Sequence, residues 1–306
     1  MLTTSVLSGR MQPLVLDLPE ATDSQPASVG IDTSHATHIV ATEYALLLGD
    51  QRVSLSAQIG RSIRLKFLGQ RTCGNCQVSV DKLEGGGYCK NCFFSLARCD
   101  RCFVSPERCH FAQGTCREPQ WGESFCMQPH VVYLANSSGP KVGITRQDRN
   151  FYRWLSQGAV QGMVIAYADT RRDAGLLEVA IKSKISDKTN WRRMVSMQPQ
   201  NLDLLQLARQ LQTSIELPAG TRWVDQMTSH DLAYPIQSHA PALRLAVNEV
   251  TPELLDNLQG IKGQYLLLSQ GAFNVGAHVG MTIEVEFAPA IDAAKLNSSD
   301  QLDLFS

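Results

Sequence analysis

The sequence predicts a mixed α+β protein in which a cysteine-rich, ribbon-like segment and an α/β module are inserted between N- and C-terminal strands of one small β domain. Three observations predict it. All nine cysteines of the 306 residues fall between Arg71 and His130. Apolar and charged residues alternate in a matching way near the two ends of the chain. From His130 onward, short apolar runs and helical spacings succeed one another. The implied boundaries are an N-terminal β segment over 1–70, the cysteine-rich segment over 71–130 and the α/β module over 131–195. A mostly helical segment over 196–258, a C-terminal β segment over 259–289 and a tail over 290–306 complete the chain.

The N-terminal segment opens with a strand around Leu14–Leu18, a polar loop from Glu20 to Thr37, and strand-like runs at His38–Leu48 and Ser62–Leu68. In Ile63-Arg64-Leu65-Lys66-Phe67 apolar and charged residues alternate, as a half-buried strand requires. Val279–Phe287 echoes Ile59–Phe67 position by position, with an acidic face in place of the basic one. Both ends therefore contribute strands to one small antiparallel sheet or barrel, and opposite charges on partner strands favour their pairing.

The cysteine-rich segment carries Cys73-Gly-Asn-Cys76, Cys89-Lys-Asn-Cys92 and Cys99-Asp-Arg-Cys102, then Cys109, Cys116 and Cys126. Two CxxC pairs a dozen residues apart match a zinc ribbon, in which two tight turns aim four sulfurs at one ion. Gly85-Gly86-Gly87 gives the loop freedom to bring the second turn back. An odd cysteine count and the lack of an apolar leader disfavour a disulfide framework. Zinc is expected at Cys73, Cys76, Cys89 and Cys92. A second zinc is expected at Cys99 and Cys102, completed from Cys109, His110, Cys116, Cys126 and His130, with Cys109 and Cys116 the favoured pair. Such closed sites are structural.

Charge is unevenly spread around the net value of −1. Residues 131–195 hold eleven Lys and Arg against five Asp and Glu, whereas 196–306 hold five against twelve. A basic face inside a neutral protein points to a polyanionic partner. No stretch approaches the roughly 20 apolar residues of a membrane span. With Arg10, Asp17 and Glu20 where a leader would be apolar, a cytoplasmic protein is expected.

In the α/β module, Val131–Ala135 and Lys141–Thr145 flank the turn cluster Asn136–Pro140 and predict a hairpin. A helix over Phe151–Gln157, a strand over Met163–Ala168 and a helix over Asp173–Ser186 come next. Leu202–Leu211 and Thr251–Leu258 have helical spacing, and Gly263–Ser269 returns to strand.

The hairpin and the elements after it resemble the GIY-YIG nuclease module. Val131-Val132-Tyr133 stands at its first motif and Lys141-Val142-Gly143 at its second, with Val131 and Lys141 replacing that family's first glycine and second tyrosine. The resemblance implies that Glu178 holds Mg²⁺ or Mn²⁺ and that Tyr133, near Lys141, deprotonates or orients the attacking water. It gives Arg153 (or Arg149) the transition-state charge, and sets Asn190 as the family's asparagine. Arg146, Arg149, Arg171, Arg172, Lys182, Lys184, Lys188, Arg192 and Arg193 would then hold the backbone of DNA or RNA. Trp154 and Trp191 read as core residues rather than base-stacking ones.

Over most of its length the chain also resembles the bacterial family called domain of unknown function 2797. The cysteine array, Ser105–His110, Gly143–Arg146, Arg153-Trp154, Gln157–Ala159, Asp187–Trp191 and Gly263–Leu266 carry that resemblance. Gln301-Leu302-Asp303-Leu304-Phe305 resembles the bacterial sliding-clamp-binding peptide, in which two leucines and a phenylalanine enter an apolar cleft and the glutamine bonds at its rim. Two functions are therefore expected as alternatives. One is a metal-dependent nuclease of DNA replication or repair recruited by the clamp; the other is a zinc-containing nucleic-acid-binding adaptor, catalytically inactive and recruited in the same way.

Overall fold

The computed structural model describes residues 6–18, 37–40, 43–185 and 188–291. Among the described residues the strands are β1 (Leu7–Arg10), β2 (Val15–Asp17), β3 (Thr37–Val40), β4 (Glu43–Leu48), β5 (Gln51–Ser54), β6 (Ser62–Arg71), β7 (His130–Asn136) and β8 (Pro140–Arg146). Then come β9 (Gln161–Ala168), β10 (Thr221–Trp223), β11 (His230–Ala233), β12 (Arg244–Leu245), β13 (Glu253–Lys262), β14 (Tyr265–Leu268), β15 (Ala272–Asn274) and β16 (Met281–Ala288). The helices are α1 (Lys90–Ser95), α2 (Arg101–Val104), α3 (Pro119–Phe125), α4 (Asn150–Ser156), α5 (Arg171–Lys182), α6 (Trp191–Ser196) and α7 (Leu204–Ser214).

The strands form three sheets. The largest runs β1-β16-β6-β13-β14-β15-β12, the middle one β3-β11-β9-β7-β8 with β10 also on β9, and the smallest β2-β4-β5. Strand β6 pairs antiparallel with β16, setting Ile63, Leu65 and Phe67 opposite Phe287, Val285 and Ile283. The intervening residues match Arg64 with Glu286 and Lys66 with Glu284. The alternating pattern at the two ends therefore describes neighbouring strands of one sheet. Their apolar faces enter a core shared with Tyr44, Leu46, Leu258, Phe273, Tyr133 and Trp154. Removing each such aliphatic side chain from water contributes about 2 kcal/mol.

In the middle sheet β7 lies between β8 and β9, antiparallel to both. Every residue of β7 is buried, so the run needs no polar face. Val132 and Leu134 pack with Ala174, Leu177 and Ile181 of α5 and with Leu204 and Ala208 of α7. Tyr133 and Ala135 belong instead to the core that includes Trp154 and Leu155 of α4.

Two expectations are corrected. Thr251–Leu258 is not helical: most of it lies in β13, paired to β6 on one side and β14 on the other. Leu254, Leu255, Leu258 and Ile261 have helical spacing, but a strand enclosed on both faces need not alternate, and its register shifts between Leu258 and Gly260. Residues 196–258 accordingly hold α7 and several short strands rather than mostly helix. The run His38–Leu48 divides into two strands of different sheets, with β3 parallel to β11 and β4 between β2 and β5. The polar loop expected from Glu20, up to residue 36, lies outside the described residues, as does the tail from residue 292.

Candidate functional site

Cys73, Cys76, Cys89 and Cys92 bring their sulfurs within 4.8 Å of one another. The Cys76 and Cys89 sulfurs are 3.7 Å apart, and the Asn75 amide and side chain point at Cys73 and Cys92, each at 3.4 Å. The turn after Cys73 closes through Gln77, whose φ of 61° is left-handed and whose N–H donates to the Cys73 carbonyl. Gly87, at φ +84°, lies where a side chain would meet Val279 at 2.9 Å. That glycine lets the second turn rest on the start of the C-terminal strand.

Burial raises the Cys73 thiol, but hydrogen bonds from the Cys89, Asn75 and Cys76 amides outweigh it and bring it down to about 6. Cys92 is lowered by the Asn75 side chain, yet burial and the other three sulfurs drive it up to about 12. Four thiols crowded in this way ionise together only around a cation. The cluster can hold a metal such as zinc, in the all-sulfur tetrahedral arrangement of a structural site.

The other predicted ligands divide. Cys99 packs beside Cys73, Cys89, Cys92 and Leu96. Cys102, Cys109, Cys116 and Cys126 line a separate small cavity with His110. His130 is in neither place. It is buried, its Nδ1 lies 2.7 Å from the Gln128 carbonyl, and burial lowers its pKa to about 4.

His130 instead borders a cleft of about 390 Å³ between the cysteine-rich segment and the module. Four arginines line it: Arg146 ending β8, Arg149 just after it, Arg153 on α4, and Arg171 opening α5. Three of these guanidiniums lie on aromatic faces, Arg146 over Phe125 at 5.3 Å, Arg149 over Tyr152 at 4.5 Å and Arg171 over Phe103 at 4.8 Å. Arg171 also donates to the Cys102 and Phe103 carbonyls at 2.8 and 2.6 Å. Stacked and tethered arginines lose little freedom when an anion arrives, so the cleft is prepared for phosphate-like groups.

Tyr133, Lys141 and Glu178 do not line this cleft. Tyr133 is fully buried, and its hydroxyl donates to Gln157 Oε1 at 2.9 Å. The Lys141 ammonium donates to the same oxygen at 3.0 Å and to Thr189 Oγ1 at 3.3 Å. Register places Tyr133 opposite Gly143, where a Cβ would come within 2.5 Å of the phenol oxygen. The glycine of Lys141-Val142-Gly143 therefore makes room for the tyrosine. Burial raises the Tyr133 pKa, the neighbouring Arg153 offsets part of that rise, and Glu178 adds to it. Glu178 is buried on α5, pairs with Lys182 at 3.4 Å and acts electrostatically on Tyr133 and Arg171.

Several predicted residues stand apart. Asn190 spends its side-chain oxygen capping α6, accepting from the Arg193 amide. Arg192 lies over Trp191, which stacks on Tyr265. Arg172, Lys184, Lys188 and Arg193 are exposed and do not line the cleft. The clamp-binding peptide expected at Gln301–Phe305 lies outside the described residues.

Sequence reading missed Phe103, Phe125 and His130 as cleft walls, and Gln157 as the shared acceptor. Phe103 and Phe125 each adjoin a cysteine, so burial around a metal explained them without the cleft. No described helix is long and apolar enough to cross a membrane. A family model described as Protein of unknown function (DUF2797) matches residues 60–283. No curated protein and no solved structure matches the chain significantly.

Proposed function

The chain belongs to the family Protein of unknown function (DUF2797), and we propose that it is a nuclease that hydrolyses DNA phosphodiesters in replication or repair. The observation that carries this reading is a cleft lined by four arginines, of which Arg153 acts electrostatically on the buried Tyr133 and Arg171 feels the buried Glu178, although neither Tyr133 nor Glu178 lines the cleft. The order of a hairpin, a helix, a third strand and a second helix, with the tyrosine strand β7 between β8 and β9, is in keeping with the GIY-YIG resemblance.

In this reading Arg146 and Arg149 bind flanking phosphates. Arg153 and Arg171 meet the scissile one and stabilise the charge that gathers on its oxygens. Tyr133 and Lys141 hold Gln157, and the protonated phenol orients rather than accepts a proton. Glu178 offers the oxygen ligand that Mg²⁺ or Mn²⁺ prefers. With one carboxylate close to Lys182 and Arg171, the phosphate and water supply the rest of the shell. Such a cation, when bound, polarises the phosphate and lowers the pKa of a bound water. The C-terminal Gln301–Phe305 peptide would bring this activity to the sliding clamp, within the cytoplasm.

A second reading rests on a specific observation. The Tyr133 phenol is fully enclosed and Glu178 already has a cationic partner, which suits a zinc-containing adaptor that binds nucleic acid without cutting it. Incubating the full chain with branched, nicked and single-stranded DNA plus Mg²⁺ or Mn²⁺, beside Glu178→Ala, separates the two. Cleavage by the parent alone supports the nuclease. Binding without cleavage by either protein supports the adaptor, and cleavage that survives the substitution overturns the assigned role of Glu178. Deleting residues 301–306 is expected to abolish clamp binding in a pull-down with purified clamp, and unchanged affinity would end that part of the reading.

A further inference from the structure

We infer that Cys102, Cys109, Cys116 and Cys126 hold a second zinc ion, in a centre separate from the Cys73 cluster and without Cys99. All four thiols line one small cavity of about 20 Å³. That is about the space of one small sphere, large enough for an ion and too small for an organic ligand. Gly122 and Cys126 occupy one face of α3 and its last turn, four positions apart. A Cβ at Gly122 would lie 3.1 Å from the Cys116 sulfur. The missing side chain is thus what lets Cys116 settle over the helix next to Cys126.

Four thiolates converging on one small cavity are the donor set that a divalent ion such as zinc takes. These sulfurs do not reach the mutual 4.8 Å spacing of the first centre, so binding requires them to close up around the ion.

A competing donor set, Asp100, Cys102 and His110, has closer spacing. Its carboxylate is already used, however. Asp100 accepts from the Cys102 amide at 3.2 Å and pairs with Arg117 at 2.6 Å, and the His110 Nδ1 faces Thr115 at 2.8 Å. Two four-thiol centres also account for eight of the nine cysteines, and the ninth, Cys99, packs against the first centre. The second centre has a mechanical consequence. Arg171 is held by the Cys102 and Phe103 carbonyls, and its amide donates to the Cys126 carbonyl at 2.8 Å. The ion would therefore fix one wall of the arginine cleft, whichever way that cleft is used.

Zinc content of the purified full chain by elemental analysis tests the assignment. About two ions per chain are expected for the parent, for Cys99→Ser and for Asp100→Asn, and about one for Cys126→Ser and Cys116→Ser. One ion in the parent, or two retained in Cys126→Ser, overturns it. Should the serine variants fail to fold, X-ray absorption at the zinc edge of the parent decides. A shell of four sulfurs at about 2.3 Å with no nitrogen or oxygen scatterer supports the eight-thiol assignment. A nitrogen or oxygen contribution contradicts it.

Discussion

Arg64 on β6 and Glu286 on β16 are 222 positions apart in the chain, yet the guanidinium Nε lies 2.8 Å from the carboxylate. Glu253 on β13 reaches the same arginine from the other side at 3.5 Å. The Arg64 and Glu286 side chains are only 19% and 6% exposed, so removing Arg64 leaves the Glu286 carboxylate away from water without this cation. Arg64→Ala is expected to lower unfolding free energy by about 3 kcal/mol. The exchanged pair Arg64→Glu/Glu286→Arg should recover part of that loss, with Glu253 opposing full recovery. Urea denaturation of the parent and both variants measures it.

Gly143→Ala should destabilise by about 2 kcal/mol, because the added methyl meets the Tyr133 phenol and neither neighbour can give way in a packed core. Tyr133→Phe/Gly143→Ala should regain part of it, since the phenol oxygen is the nearest clash at 2.5 Å. Thermal melts of both variants check this.

Loss of the first metal should unlock the ribbon without melting the main sheets. Cys76 is the one exposed thiol of its cluster. A strong chelator is expected to make it, and then its three partners, react with a thiol reagent, while far-ultraviolet circular dichroism changes little. Unchanged thiol reactivity after chelation would show that no ion holds these residues.

Lys262 is wholly buried, its ammonium has no hydrogen-bond partner among the described residues, and it lies 5.6 Å from the Tyr234 ring centre. Burial lowers its pKa from 10.5 to about 8. Between those two values the unfolded chain binds more protons than the folded one, so stability should rise with pH from about 8 to about 10.5, and the penalty is fully present below 8. Lys262→Met is expected to stabilise at pH 7 by about 2 kcal/mol and to flatten that rise. Denaturation midpoints across the range test both statements.

Much of this architecture is readable in the sequence because it rests on short-range rules. CxxC spacing dictates a ligand cluster, and alternation with opposite charges predicts that β6 and β16 share a sheet. Strand β13 misleads because enclosure on both faces erases alternation, leaving Leu254, Leu255 and Leu258 at helical intervals. The choice of Cys126 over Cys99 is not legible either. It depends on Gly122 and on how the loop folds over α3, and no spacing rule carries that. The cleft is half legible: its arginines stand out as a basic excess, but Phe103 and Phe125 join them only through tertiary packing.

The most direct test of the cleft is single-turnover cleavage of a DNA substrate, with binding measured in parallel, for the parent, Arg149→Ala and Glu178→Gln. Arg149→Ala should weaken binding and reduce its salt dependence by about one ion. Glu178→Gln should bind DNA as the parent does and cleave at least about a hundredfold more slowly. Equal cleavage rates for the parent and Glu178→Gln would contradict the account.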